Sequence, residues 1–134
     1  MNNKKVYDLF PDPIFRTRLD NYKEINKELL TYILELKKKD EKGNTRSNRG
    51  GWHSPNFDLV KPGPPINFIN NFKDFLKHII TNEIGWEYIP NKQRVVAMWA
   101  IINNKNSYNV KHNHQNCYLS SAYYVKKPKN SGDI

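Results

Sequence analysis

Two histidines one residue apart, His112 and His114, are the residues of this chain whose type and spacing most directly suggest chemistry. In an extended segment, side chains two apart point to the same face, so both imidazoles can reach one metal ion. An HxH on a strand is half of such a site, because catalytic iron or zinc takes a third protein ligand and keeps open positions for substrate. A second group, Trp52-His53-Ser54, follows Gly50-Gly51 and sets a large aromatic and a titratable ring beside a permissive backbone. The expectation there is that Trp52 plugs the loop onto the core, that His53 is solvated, and that residues 50–54 border the pocket. Cys117 is the only cysteine, which excludes an internal disulfide framework and a multi-cysteine zinc site and fits a reducing compartment.

Those residues need elements to hold them. Residues 6–19 carry Pro11 and Pro13 inside an apolar run, which favours an edge strand or extended arm over a central strand. From Asn21 the pattern becomes helical: Asn21 and Glu24 form a candidate capping box, and Ile25, Leu29, Ile33 and Leu36 recur at helical spacing up to Lys37, Lys38 and Lys39. Residues 40–65 have no periodicity and are dense in Gly, Asn, Ser and Pro, the composition of a long functional or mobile loop. Pro64 and Pro65 suit a helix start; Ile69, Phe72, Leu76 and Ile79 form its stripe, Gly85 its stop, and His78 reads as a surface or packing residue.

The character then changes. Residues 95–102, VVAMWAII, read as a buried strand with Val95, Ala97, Trp99 and Ile101 on one face. Residues 108–114 and 117–125 read as the next two strands, and a fourth is expected to begin at Asp133. Helices first and strands in series make the class α+β. The chain of 134 residues reads as a single domain, with helical support over 1–94 and strands over 95–134.

Lys and Arg total 22 against 13 acids, a formal charge of +9, which on electrostatics alone favours a polyanion. The lysines are scattered among asparagines and isoleucines rather than clustered, which argues against nucleic acid as partner. No apolar run is long enough for a membrane span and the N-terminus lacks a signal-peptide core, so no membrane role and a cytoplasmic location are expected. Mean hydropathy is −0.86 while aromatics reach 13%, which suits a β-rich fold with an aromatic core and a wet surface.

Taken together, VVAMWAII, the HxH, CYLSSAYYV and SGDI resemble the first half of the double-stranded β-helix of Fe(II)/2-oxoglutarate-dependent oxygenases. LFPDPIF, RSNRGGWHS and HNH with SSAYYVKKPKNSG are similar, more narrowly, to a bacterial and phage group of 2-oxoglutarate/Fe(II) oxygenases. The resemblance implies N-terminal helices packed on a double-stranded β-helix of jelly-roll, cupin-like type, with only its first half present. It also implies an iron(II) centre with 2-oxoglutarate as co-substrate, oxidising an unknown substrate. His112 and His114 would be metal ligands, His114 standing where most of the superfamily has Asp or Glu, and three imidazoles would bind zinc readily. Tyr124 would donate its phenol to the distal carboxylate of 2-oxoglutarate. The bland alternative for Tyr123 and Tyr124 is packing on the two faces of a strand, and Trp99 reads as wall.

The ending departs from the family. No histidine follows His114 and no arginine follows Arg94, so the distal ligand and the arginine for 2-oxoglutarate are missing and the chain reads as truncated. Unpaired strands would then invite a homo-oligomer. A cupin fits less well, because Tyr118 and Leu119 occupy the place of its glutamate. Two alternatives stand beside the enzyme: an inactive truncated fragment, and a basic nucleic-acid-binding module with Trp52, Tyr108 and Tyr118 as stacking residues.

Overall fold

The structure, a computed structural model, describes residues 12–129 and 131. Helix α1 runs Tyr22–Lys39 and buries Ile25, Leu29 and Ile33, with Tyr32 and Leu36 half-buried against the same cluster. The three lysines of its last turn face the negative end of the helix dipole. Its start falls where the candidate capping box places it, but Asn21 makes no side-chain cap. The Asn21 amide instead donates to Asn71 Oδ1 at 2.6 Å, tying the start of α1 to the second helix.

Helix α2 runs Pro64–His78, with Pro at its first positions where a missing N–H costs nothing. It buries Phe68 and sets Ile69 and Phe72 against the core cluster. The helix widens into a π-helical turn, Ile79–Glu83, in which Ile84 N–H reaches back to Ile79 O at 3.0 Å. Gly85, at φ +78°, ends it in the left-handed region that only glycine enters without strain. α1 and α2 pack on each other, and Asn67 Nδ2 donates to Glu28 Oε1 at 2.9 Å across the seam.

The loop between the helices is folded onto the core. It supplies two short strands, β1 (Asn48–Arg49) and β2 (Trp52–His53), which pair antiparallel with β4 (Tyr108–Asn109) and β3 (Ile101–Ile102) respectively. Trp52 joins the helix stripes in one cluster with Phe57 and Ala100, and its indole N–H donates to Asp40 O at 2.8 Å. Gly43, at φ +61°, passes so close to Trp52 and His53 that a Cβ there would stand 2.6 Å from Trp52 Nε1 and His53 O. The loop can close over the indole only with glycine at that point.

The expected β-helix is not what forms. Among the described residues every strand is two residues long and the sheets are two-stranded, far short of a jelly-roll, cupin-like or double-stranded β-helix barrel. Helix is the dominant regular structure. Of residues 95–102 only Ile101 and Ile102 are strand, of 108–114 only Tyr108 and Asn109, and of 117–125 none. The start of a fourth strand at Asp133, and residues 6–11 of the expected N-terminal arm, lie outside the described residues.

The ladder between residues 52–57 and 98–102 shows why regular pairing stops. Ser54 N–H donates to Ala100 O at 2.9 Å, as a strand would, but Ala100 N–H is taken by the Ser54 hydroxyl at 2.9 Å. Ser54 O is already accepting from His53 Nδ1 at 2.6 Å and from the Asn44 amide at 3.3 Å. Pro55, next in line, has no N–H to give. Pairing resumes once, at Phe57 N–H to Met98 O, 2.8 Å. Met98, Ala100 and Ile102 are the residues of 98–102 that join the core cluster, on alternate positions to Trp99 and Ile101.

Candidate functional site

His112 lies three residues beyond β4 and is exposed, while His114 is half-buried. Their rings meet edge to face with centroids 4.9 Å apart. Two imidazoles bound to one ion at about 2.1 Å through nitrogen have ring centres at comparable separation. His112 Nδ1 lies 2.8 Å from Val110 O, an atom that only accepts, so Nδ1 carries a proton and, in the neutral ring, Nε2 is the nitrogen with the lone pair. A backbone carbonyl fixing the tautomer in this way is the usual support of a ligating or proton-accepting histidine.

The pair is not isolated from the loop of residues 50–54. Trp99 sits 5.5 Å from His114, ring centre to ring centre, and also stacks almost parallel on His53 at 5.7 Å. His53 is only 3% exposed, in contrast to the solvated ring expected from the sequence, and its Nδ1–H is spent on Ser54 O. Residues 52–54 thus form core beneath Trp99 and do not line an open pocket. Trp52 does plug the loop onto the core, as expected. His53 and Ser54, the latter fully buried, are structural residues whose roles only the tertiary fold reveals; no signal in the local pattern distinguishes them from a solvated loop.

Tyr123 and Tyr124 divide between two environments. Tyr123 packs on Phe68 with centroids 4.6 Å apart and donates its hydroxyl to Asn26 Oδ1 at 2.7 Å, fastening the C-terminal segment to α1. Burial pushes its phenol pKa up. Tyr124 is 51% exposed and, among the described residues, has neither ring contact nor hydrogen bond with His112 or His114. His78 is a surface residue against Glu83 Oε1, 3.2 Å away.

The expectation of a metal-binding protein needs correction at this point. Among the described residues there is no group of three or more His, Cys, Asp or Glu placed to hold an ion. Two imidazoles fall short of the three protein donors that iron in a facial triad takes. The physical reason is that no barrel forms: among the described residues no second strand layer brings a carboxylate or a third imidazole to the histidines. Cys117, exposed beyond His114, does not complete a group.

The sequence of residues 97–134 matches a family described as "Putative 2OG-Fe(II) oxygenase". The matched stretch holds His112, His114 and Tyr124 but is well under half of the chain, and it shows a family-level resemblance to the 2-oxoglutarate/Fe(II) oxygenases. No curated protein and no solved structure matches the chain. Among the described residues no helix is long and apolar enough to cross a membrane.

Proposed function

We propose that this chain is an oxygenase-like protein of the Fe(II)/2-oxoglutarate class, in which residues 97–134 carry the reactive segment and His112 and His114 are its two nitrogen donors. In this reading Tyr124 offers its exposed phenol to a carboxylate of 2-oxoglutarate, and the reaction is oxidation of a substrate C–H bond. The observation that supports it is a coincidence: the family match falls on the stretch where two imidazoles touch at 4.9 Å and one has its tautomer fixed by Val110 O. The pair supplies two of the three protein donors that such a centre takes.

Anaerobic titration with Fe(II), with and without 2-oxoglutarate, tests this directly. The expected result is a weak visible charge-transfer band when both are present, lost in His112→Ala and His114→Ala and weakened in Tyr124→Phe. Iron affinity that is the same in the wild type and both alanine variants would sink the assignment of the histidines.

A further inference from the structure

Folding sorts the charge of this chain in a way its linear sequence hides. Residues 42–57 contain three Lys or Arg and residues 88–132 contain seven, and neither stretch has an Asp or Glu. These are the two stretches that the structure brings together, through β1 with β4, β2 with β3, and Val110 N–H to Ser47 O at 2.9 Å. On α1, by contrast, Glu24, Glu28 and Glu35 are interspersed with lysines, so a polyanion passing there meets both signs.

The β1 and β4 pair has built features as well as charge. Arg49 stands directly opposite Tyr108 in the ladder, and cross-strand partners of this kind have Cβ atoms about 5 Å apart. Both are exposed, Tyr108 at 59%. Arg49 Nη1 donates to the carbonyls of Arg46 and Asn48 at 3.0 and 2.9 Å, which leaves the N–H groups on Nε and Nη2 unspent. The turn that carries both arginines is pinned by Asn48, a buried side chain that accepts from Arg46 N–H at 2.8 Å and donates to Gly51 O at 2.8 Å. Lys111 is exposed two residues past β4, and Asn103, Asn104, Asn106 and Asn109 are exposed in β4 and the segment before it. Among the described residues no carboxylate pairs with Arg46, Arg49 or Lys111.

From this juxtaposition we propose that the face formed by β1, β4 and the adjoining turn binds single-stranded nucleic acid, with Arg46, Arg49 and Lys111 on phosphates and Tyr108 beneath a base. Cations beside an exposed ring are the elements of a single-strand platform, in which charge follows the backbone and aromatic faces take successive bases. Strands of two residues cannot fill a duplex groove, whereas unpaired bases come to the protein. An anionic lipid surface also attracts the cations but has no π-face for Tyr108, so that residue separates the two partners.

The test is fluorescence anisotropy of a labelled strand of about fifteen thymidines with the full chain, titrated over salt from about 50 mM upward. Binding is expected to weaken linearly in log–log form with salt. Arg46→Gln with Arg49→Gln should lower affinity at least tenfold and reduce the slope by about 1.4, since each phosphate contact on a single strand contributes about 0.7. Tyr108→Ala should lower affinity about tenfold with the slope unchanged, the loss of one stacked base. Lys27→Gln with Lys38→Gln on α1 should change affinity less than twofold. All these positions are exposed, and an unchanged melting curve confirms that each variant is folded. Absence of binding at about 50 mM salt would overturn the proposal, as would equal losses in the α1 control. Preferential binding to phosphatidylserine vesicles, indifferent to Tyr108→Ala, would assign the face to lipid instead. The assay needs neither iron nor 2-oxoglutarate, so its failure leaves the oxygenase reading standing, and the converse holds too.

Discussion

Helix α1, Tyr22–Lys39, and the stretch 108–125 are equal in length and both alternate apolar with polar residues, yet they end in opposite conditions. α1 satisfies its backbone within itself and commits Ile25, Leu29 and Ile33 to the core. Residues 108–125 have one two-residue strand, and from 111 to 125 the one backbone bond among the described residues is the turn from Cys117 N–H to His114 O at 3.3 Å. A helix closes its hydrogen bonds locally, whereas an extended segment needs a neighbour for every N–H and C=O. Where no neighbour comes, water must serve, and the side chains stay out: Tyr118 is 89% exposed. The stretch is held at few points, chiefly β4 and the Tyr123 anchor.

The contrast can be broken most forcefully in the core on which α1 rests. Trp52→Ala removes the indole that both helices and the loop share, together with its bond to Asp40 O, and should cost about 3–5 kcal/mol in urea unfolding. Ser54→Ala leaves the buried Ala100 N–H without its acceptor and should cost about 1–3 kcal/mol by the same measurement. A value near zero would mean that Ser54 O takes over and a regular ladder forms. Tyr123→Phe keeps the ring on Phe68 but loses the bond to Asn26, an expected loss of about 1 kcal/mol.

The same anchor gives a pH signature. Tyr123 and Tyr32 both have pKa values raised above the usual 10.0, chiefly by burial, with the Asp58 charge adding to Tyr32. A folded pKa above the unfolded one means a contribution present in full below pH 10 and lost as pH rises through the folded value. Thermal melting should therefore fall as pH rises above about 10, less steeply in Tyr123→Phe. At the small end, Tyr118→Ser should shift stability by no more than about 0.5 kcal/mol, because the ring is 89% exposed and, among the described residues, its one ring contact is the partly exposed Trp86. A larger loss would show that the 108–125 stretch is packed more tightly than its exposure indicates.

The helices were legible because their information is local. The spacing of Ile25, Leu29 and Ile33, Pro64 and Pro65 at a start, and Gly85 at a stop all describe elements that make their own hydrogen bonds. The β-rich look of residues 95–125 was equally clear as composition and misleading as structure, since Val, Ile, Tyr and Trp state a preference that only a partner strand can satisfy. The partner of residues 98–102 turned out to be the loop of 52–57, read as irregular for its glycines and asparagines. That pairing also set which alternate residues, Ala100 and Ile102, join the core cluster.

The candidate site divides along the same line. Sequence alone determined that two imidazoles stand two residues apart, that one cysteine cannot make an internal disulfide or a multi-cysteine zinc site, and that residues 97–134 resemble an oxygenase family. Only the tertiary structure decided that Trp99 contacts both His53 and His114, that Tyr123 faces inward while Tyr124 faces out, and that acid-free segments far apart in the chain pair with each other. Residue types and short spacings are written along the chain. Which segments become neighbours depends on which backbone groups and apolar faces find partners, and that is settled only when the whole chain packs.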